Sequence, residues 1–193
     1  MNARKLSLMV GFSVLVLGIL ACTINVGGPA YPDQHIPVST EAVGDFQSAM
    51  QTAVAAGADS GQVTLVITEA QLTSFLVYKL QTQSQTKTQP LFTDPQVYLR
   101  NGEIQIYGTA RQGYLEATIA IVVTAGVDEQ GQLKIVLTSA NFGPLPVPAG
   151  LKDAITASIQ EAYTGAIGPA AIGFRLESIT VTDGTMTIVG QTK

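Results

Sequence analysis

Cys22 and His35 are the one cysteine and the one histidine of this 193-residue chain. Nucleophilic catalysis of the Ser-His-Asp or Cys-His kind needs an imidazole inside a folded site. His35 instead lies between Pro32 and Pro37, with no cluster of Cys, His or carboxylate beside it. The carboxylates offer little more. Asp128, Glu129 and Asp183 fall at turns, where such groups commonly serve the backbone, and no second carboxylate or histidine stands at metal-ligand spacing. Glu103, Glu116, Arg100 and Arg111 lie on or beside one strand pair and can pair across it, which contributes about 0–1 kcal/mol per exposed pair. The Gly-rich stretches follow neither phosphate-loop nor dinucleotide patterns. The residue types therefore predict no enzyme, no metal and no cofactor; a hydrolase built on an unusual Asp or Tyr is the catalytic alternative they leave.

Cys22 has a different context. Arg4 and Lys5 precede an uncharged stretch from Leu6 to Leu20 that ends at Ala21, the layout of a secretory signal with a small residue at the cut. Ile19-Leu20-Ala21-Cys22 resembles a bacterial lipobox, which implies cleavage before Cys22 and acylation of its thiol. Two acyl chains suffice for stable anchoring, since each buried methylene contributes about 0.8 kcal/mol and one chain binds only marginally. An uncleaved transmembrane anchor competes, because the uncharged run continues to Ile24 and approaches the length of a tilted span. A cytosolic protein with an incidental thiol is the third reading. The first two place Arg4 and Lys5 inside and the rest outside, so the expected location is extracytoplasmic, with the membrane as partner through acylated Cys22.

Composition agrees with that location. Hydrophobic residues make up 46% of the chain and charged ones 12%, too apolar for disorder and with about half the usual charge. The formal charge is -4. Loss of residues 1–21 removes two of the ten basic residues and none of the fourteen acidic ones, leaving -6. Such a chain lacks the positive field that nucleic-acid binding requires. Three segments follow: a signal peptide at 1–21, the acylated cysteine and an extended Pro/Gly linker at 22–40, and one α+β domain at 41–193. With Pro29, Pro32, Pro37 and Gly27-Gly28, the linker reads as a tether able to span roughly 50 Å at 3.1 Å per residue.

Within the domain, Val43, Phe46, Met50, Ala53 and Val54 recur at helical spacing, and Gly57 is expected to end that helix. Gln62–Thr68 alternates as a strand. Thr68 and Gln71 form a capping box for a second helix with the stripe Leu72, Phe75, Leu76 and Leu80, followed by a polar connection at 81–89. Asn101-Gly102 predicts a type I′ hairpin. From Tyr114 to Val127 runs one long strand whose face carries Leu115, Ala117, Ile119, Ile121, Val123, Ala125 and Val127 without a polar interruption. Leu133, Ile135 and Leu137 form the returning strand. A polyproline-like corner at 143–148 then opens a third helix with the stripe Leu151, Ala154, Ile155, Ser158, Ile159, Ala162, Tyr163 and Ala166. The tail makes a hairpin about Asp183-Gly184, and a change of parity between Leu176 and Ile179 predicts a bulge near Ser178.

From about Gln62 to Gly190 this order of features resembles the TULIP-like bacterial envelope proteins, the YceB-type lipoproteins with their YpmS-type and LmeA-type relatives. It rests on a strand and capped helix (VTLVITEAQLTSFL), a strand pair about Asn-Gly, a long strand, a G-x-L-P-x-P corner with a helix, and a closing SITVTDGTMTIVG hairpin. The resemblance implies a long curved antiparallel sheet wrapped around amphipathic helices, with an apolar groove for lipid, and it supplies no catalytic residue. The physical alternative is an ordinary two-layer core. The absence of Trp favours spare room, while the small residues Ala154, Ser158 and Ala162 fit either a close helix-sheet approach or room left between the two.

Two functions follow. One is a lipid-anchored protein that binds a lipid or other long apolar ligand between helix and sheet, lined by Leu115, Ile119, Ile121, Val123, Leu151, Ile155, Ile159 and Tyr163. The other is an envelope lipoprotein with a filled core that acts as a docking or structural module.

Overall fold

A computed structural model of the chain describes residues 24–25, 27–84, 92–112, 114–143 and 174–192. The segment expected as a signal, Cys22, the 143–148 corner beyond Gly143 and the stretch expected as a third helix lie outside those residues. The described part is α+β, two helices and two mainly antiparallel sheets.

In chain order the elements are β1 (Ile24–Asn25), α1 (Thr40–Ser60), β2 (Gln62–Thr68), α2 (Glu69–Ser84), β3 (Phe92–Arg100), β4 (Glu103–Gln112), β5 (Leu115–Val127), β6 (Leu133–Asn141), β7 (Phe174–Thr182) and β8 (Thr185–Thr192). The larger sheet runs β3-β4-β5, with both β1 and β6 on the outer edge of β5. β6 pairs with Ala120 to Val127, and β1, running parallel to β5, pairs with Leu115 and Glu116. The smaller sheet has the order β2-β8-β7.

Local chemistry explains several boundaries. Asn101 and Gly102 both have positive φ, 54° and 80°, as a two-residue hairpin of this hand requires. Thr68 and Gln71 exchange hydrogen bonds, Thr68 N–H to Gln71 Oε1 at 2.9 Å and Gln71 N–H to Thr68 Oγ1 at 3.3 Å, which is the capping box. The register between β7 and β8 shifts between Leu176 and Ser178, so the expected bulge is present. A further bulge, at Thr138 in β6, keeps Leu137 and Ala140 on the same face as Val123 and Ile121.

The first helix departs from expectation. Gly57 does not end it; α1 continues to Ser60, and Gly61 closes it in the left-handed region with its N–H on the Gly57 carbonyl. A Cβ on Gly57 would stand 2.1 Å from Val63 Cγ2. Gly57 is thus a contact point at which the helix can approach β2, not a stop. The second helix extends past its stripe to Ser84, taking in part of the stretch expected as a connection.

One core joins α1, the smaller sheet and one end of the larger sheet. Phe46, Ile67, Leu99 and Met186 pack together, with Leu72, Phe75 and Ile104 against them. Ala53, Val63 and Leu176 continue it towards Val127 and Leu133. The end of the larger sheet nearest the Asn101-Gly102 and Asp128–Gln132 turns is therefore covered by a second layer.

Candidate functional site

The uninterrupted face of β5 continues across its neighbours. In register, Val123 faces Ile104, Ile121 faces Ile106, Ile119 faces Gly108 and Ala117 faces Ala110; Val97 and Leu99 of β3 extend the Ile106 and Ile104 rows. Ile119, Ile121 and Val123 are buried and cluster with Phe142. The hydrophobic side chains packed against that cluster are Phe92, Ile104, Ile106, Ala110, Ile135, Leu137 and Ala140. Every one of these belongs to the larger sheet itself or, for Phe142, to the residue after β6. Among the described residues, then, the middle of this face has no second hydrophobic layer, while its far end does.

Two aromatic side chains frame the middle. A Cβ on Gly108 would lie 2.2 Å from ring atoms of Phe92, so that ring rests on the glycine beside Ile119. Phe142 stands on the β6 side. Neither residue is marked as a wall by the strand alternation, although a glycine inside the run Ile104-Ile106-Gly108-Ala110 is a usual mark of close approach in a strand.

Of the expected lining residues, Ile119, Ile121 and Val123 are thus brought together. Leu115 is more open, 37% exposed at the start of β5 beside Tyr114 at 67%. Leu151, Ile155, Ile159 and Tyr163 lie outside the described residues. Among the described residues the face offers apolar contact, which favours exclusion of water from a hydrocarbon surface.

The opposite face is polar and occupied. The segment read as a free tether is extended, and it is laid along the sheet. Thr118 N–H donates to the Gly27 carbonyl at 3.1 Å, Tyr98 Oη to the Gln34 carbonyl at 2.8 Å, and Ile36 N–H to Gln96 Oε1 at 2.7 Å. Ser39 N–H reaches Ser74 Oγ at 3.1 Å. Tyr31 packs on Tyr107 and Tyr107 edge-on against Tyr98, with centroids 5.8 and 5.6 Å apart. Tyr98 and Gln96 are buried beneath this strap.

Burial raises the pKa of both Tyr31 and Tyr98; Asp94 adds to the shift at Tyr31 against a hydrogen bond with Thr109, and Glu69 adds to it at Tyr98. The folded protein holds these phenols neutral where the unfolded chain, with a pKa of about 10, releases their protons. Stability from them is complete below pH about 10 and is lost as pH rises through the higher folded values. A urea midpoint that falls between pH 9 and 11, and falls less in Tyr98→Phe, is the expected result; equal pH dependence in the two proteins would remove Tyr98 from the account.

Several other polar side chains have partners within the fold. Asp128 Oδ1 accepts from Gln130 and Gln132 N–H at 2.9 and 2.8 Å, and Asp183 Oδ1 from Asn101 N–H at 3.2 Å. Arg111 pairs with Glu116 across β4 and β5 at 2.8 Å. Arg100 does not pair with its hairpin neighbour Glu103 but with Glu69 at the start of α2. His35 lies 4.0 Å from Asp94, with both side chains exposed. No group of three metal-ligating side chains occurs among the described residues.

No family model matches the sequence, and no curated protein matches it. Among solved structures, a crystal structure of lipopolysaccharide binding protein is similar over 68% of this chain and 50% of that one, with 12% identity and a TM-score of 0.31. The chain spans half the length of that protein, and a similarity of this size establishes neither fold nor ligand.

Proposed function

We propose that this is a lipid-anchored, non-enzymatic extracytoplasmic protein that holds a lipid or other long apolar ligand against the middle of its larger sheet. The observation that carries the reading is the division of one apolar face. Its far end packs on α1 and the smaller sheet, whereas the hydrophobic partners of Ile119, Ile121 and Val123 among the described residues all come from the sheet and its β6 end. The apolar stripe Leu151, Ile155, Ile159 and Tyr163 supplies the second wall, with the ligand between the two, as the TULIP-like resemblance implies. The lipobox-like Ile19–Cys22 supports the anchor and the location.

The test is native mass spectrometry of the mature chain carrying Cys22→Ser, which has no acyl group of its own, after incubation with total membrane lipid. A stoichiometric adduct of lipid mass is expected. Ile121→Trp should lower its occupancy several-fold by filling the space over β5. Ile121→Val, a change that costs about 0.5–1.5 kcal/mol, should keep the adduct. A clean mass in the parent protein would mean that the chain fills its own core, and would leave the docking module as the function.

A further inference from the structure

The strap fixes where the chain leaves the domain. β1 runs parallel to β5 with Ile24 opposite Leu115, so Ile24 stands at the Tyr114-Leu115 end of the sheet. Gly27 and Gly28 extend the contact along the same edge. Beyond the Thr118–Gly27 hydrogen bond, a Cβ on Gly28 would stand 2.1 Å from the Thr118 carbonyl oxygen, and one on Gly143 would stand 2.8 Å from Gly28 Cα. The strap therefore fills the part of the β5 edge that β6 leaves open. Gly28, with φ of 141°, is held to glycine by both its backbone and its neighbour.

Cys22 is two residues from Ile24, and two residues of chain reach at most about 7 Å. An acyl group on Cys22 therefore cannot stand off on a long stalk while the strap stays docked. Among the described residues at that end, Tyr114 and Leu115 are exposed apolar side chains, and Arg111 and Glu116 neutralise each other. Asp128 and Glu129 lie at the opposite end of β5, about 40 Å away at 3.3 Å per residue, where their charge is least opposed to an anionic surface. Ile119 is four residues from Leu115, so the apolar middle of the face begins roughly 13 Å from this end.

We propose that the Tyr114–Leu115 end of the larger sheet is a membrane-contact surface, held on a phospholipid bilayer by the few residues that separate the docked strap from Cys22. This rests on the lipid-anchored reading, and it adds an orientation: β5 stands with Leu115 at the bilayer and Asp128 away from it, and the bilayer is the source or the destination of the ligand.

The test uses the full acylated protein, purified from membranes and reconstituted on vesicles of phosphatidylcholine and phosphatidylglycerol. Acylated Cys22 has no free thiol, so Tyr114→Cys and Gln130→Cys each present one site for a fluorophore. With nitroxide-labelled lipid in the vesicles, the label at 114 should be quenched several-fold more than the label at 130. Gly28→Val, which displaces the strap from Thr118, should leave flotation with vesicles intact and bring quenching at 114 down towards that at 130. Protein that floats but shows equal quenching at the two sites overturns the contact surface and leaves the anchor standing. Protein that does not float overturns the anchor, and this orientation with it. A Gly28→Val protein that floats and is quenched like its parent would show that the docked strap is not what holds the end down, and would overturn the hold assigned to it.

Discussion

Replacing Leu99 with alanine should lower the unfolding free energy by about 4 kcal/mol, in the upper part of the range for buried leucines. Leu99 has no exposed surface and is the point at which the two sheets and both helices meet. It packs with Phe46 of α1, Ile67 of β2 and Met186 of β8, and Leu72 and Phe75 of α2 pack against the same cluster. A cavity walled by so many separate elements collapses poorly, because each wall is fixed by its own hydrogen-bonded ladder. For a chain of this size the loss corresponds to a fall of about 8–16 °C in Tm. A differential scanning calorimetry trace of the Leu99→Ala protein checks it. A loss under about 2 kcal/mol would mean that the walls do close in and that the core is softer than its packing implies.

What was legible in the sequence was what local chemistry decides. The Asn101-Gly102 turn, the Thr68/Gln71 box and the bulge between Leu176 and Ser178 each depend on a few adjacent residues, and all three are present. Gly57 is ambiguous in the sequence because glycine serves two purposes. As a helix end it supplies positive φ, and as a helix contact it removes a Cβ; only the position of Val63, across a turn, separates them. The docking of the strap is hidden in the sequence for a related reason. Pro29, Pro32 and Pro37 do give an extended segment, but its docking uses the Gly27 and Gln34 carbonyls and the Ile36 N–H. Those backbone groups are the same in every sequence, and the strap side chains that dock beside them, Ile36 and Tyr31, lie in no periodic pattern. The candidate site was half legible: the apolar row of β5 could be counted, whereas Phe92 and Phe142 reach it from outside any alternation.

The polar face of α2 was not legible, and it carries the second large prediction. Apolar periodicity assigns Leu72, Phe75, Leu76 and Leu80 to the interior, yet the most deeply buried residues of the helix are Thr73, Ser74 and Glu69. The cause is an edge. β3 has β4 on one side only, and unpaired N–H groups on an edge strand invite pairing with other chains. α2 lies along that edge: Leu99 N–H donates to Glu69 Oε1 at 2.7 Å and Val97 N–H to Thr73 Oγ1 at 3.0 Å. Four residues of helix advance about 6 Å and two residues of strand about 6.6 Å, so the two rows stay in step. Glu69→Ala leaves the Leu99 N–H buried without an acceptor, which costs about 1–3 kcal/mol, and it also removes the partner of Arg100, which keeps some contact with water. The expected total is about 3 kcal/mol. Glu69→Gln retains an acceptor for Leu99 and should recover more than half of it. Urea unfolding of the two variants decides the matter. Equal losses would assign the cost to the Arg100 ion pair, and a negligible loss in Glu69→Ala would mean that water reaches the edge and that α2 does not seal it.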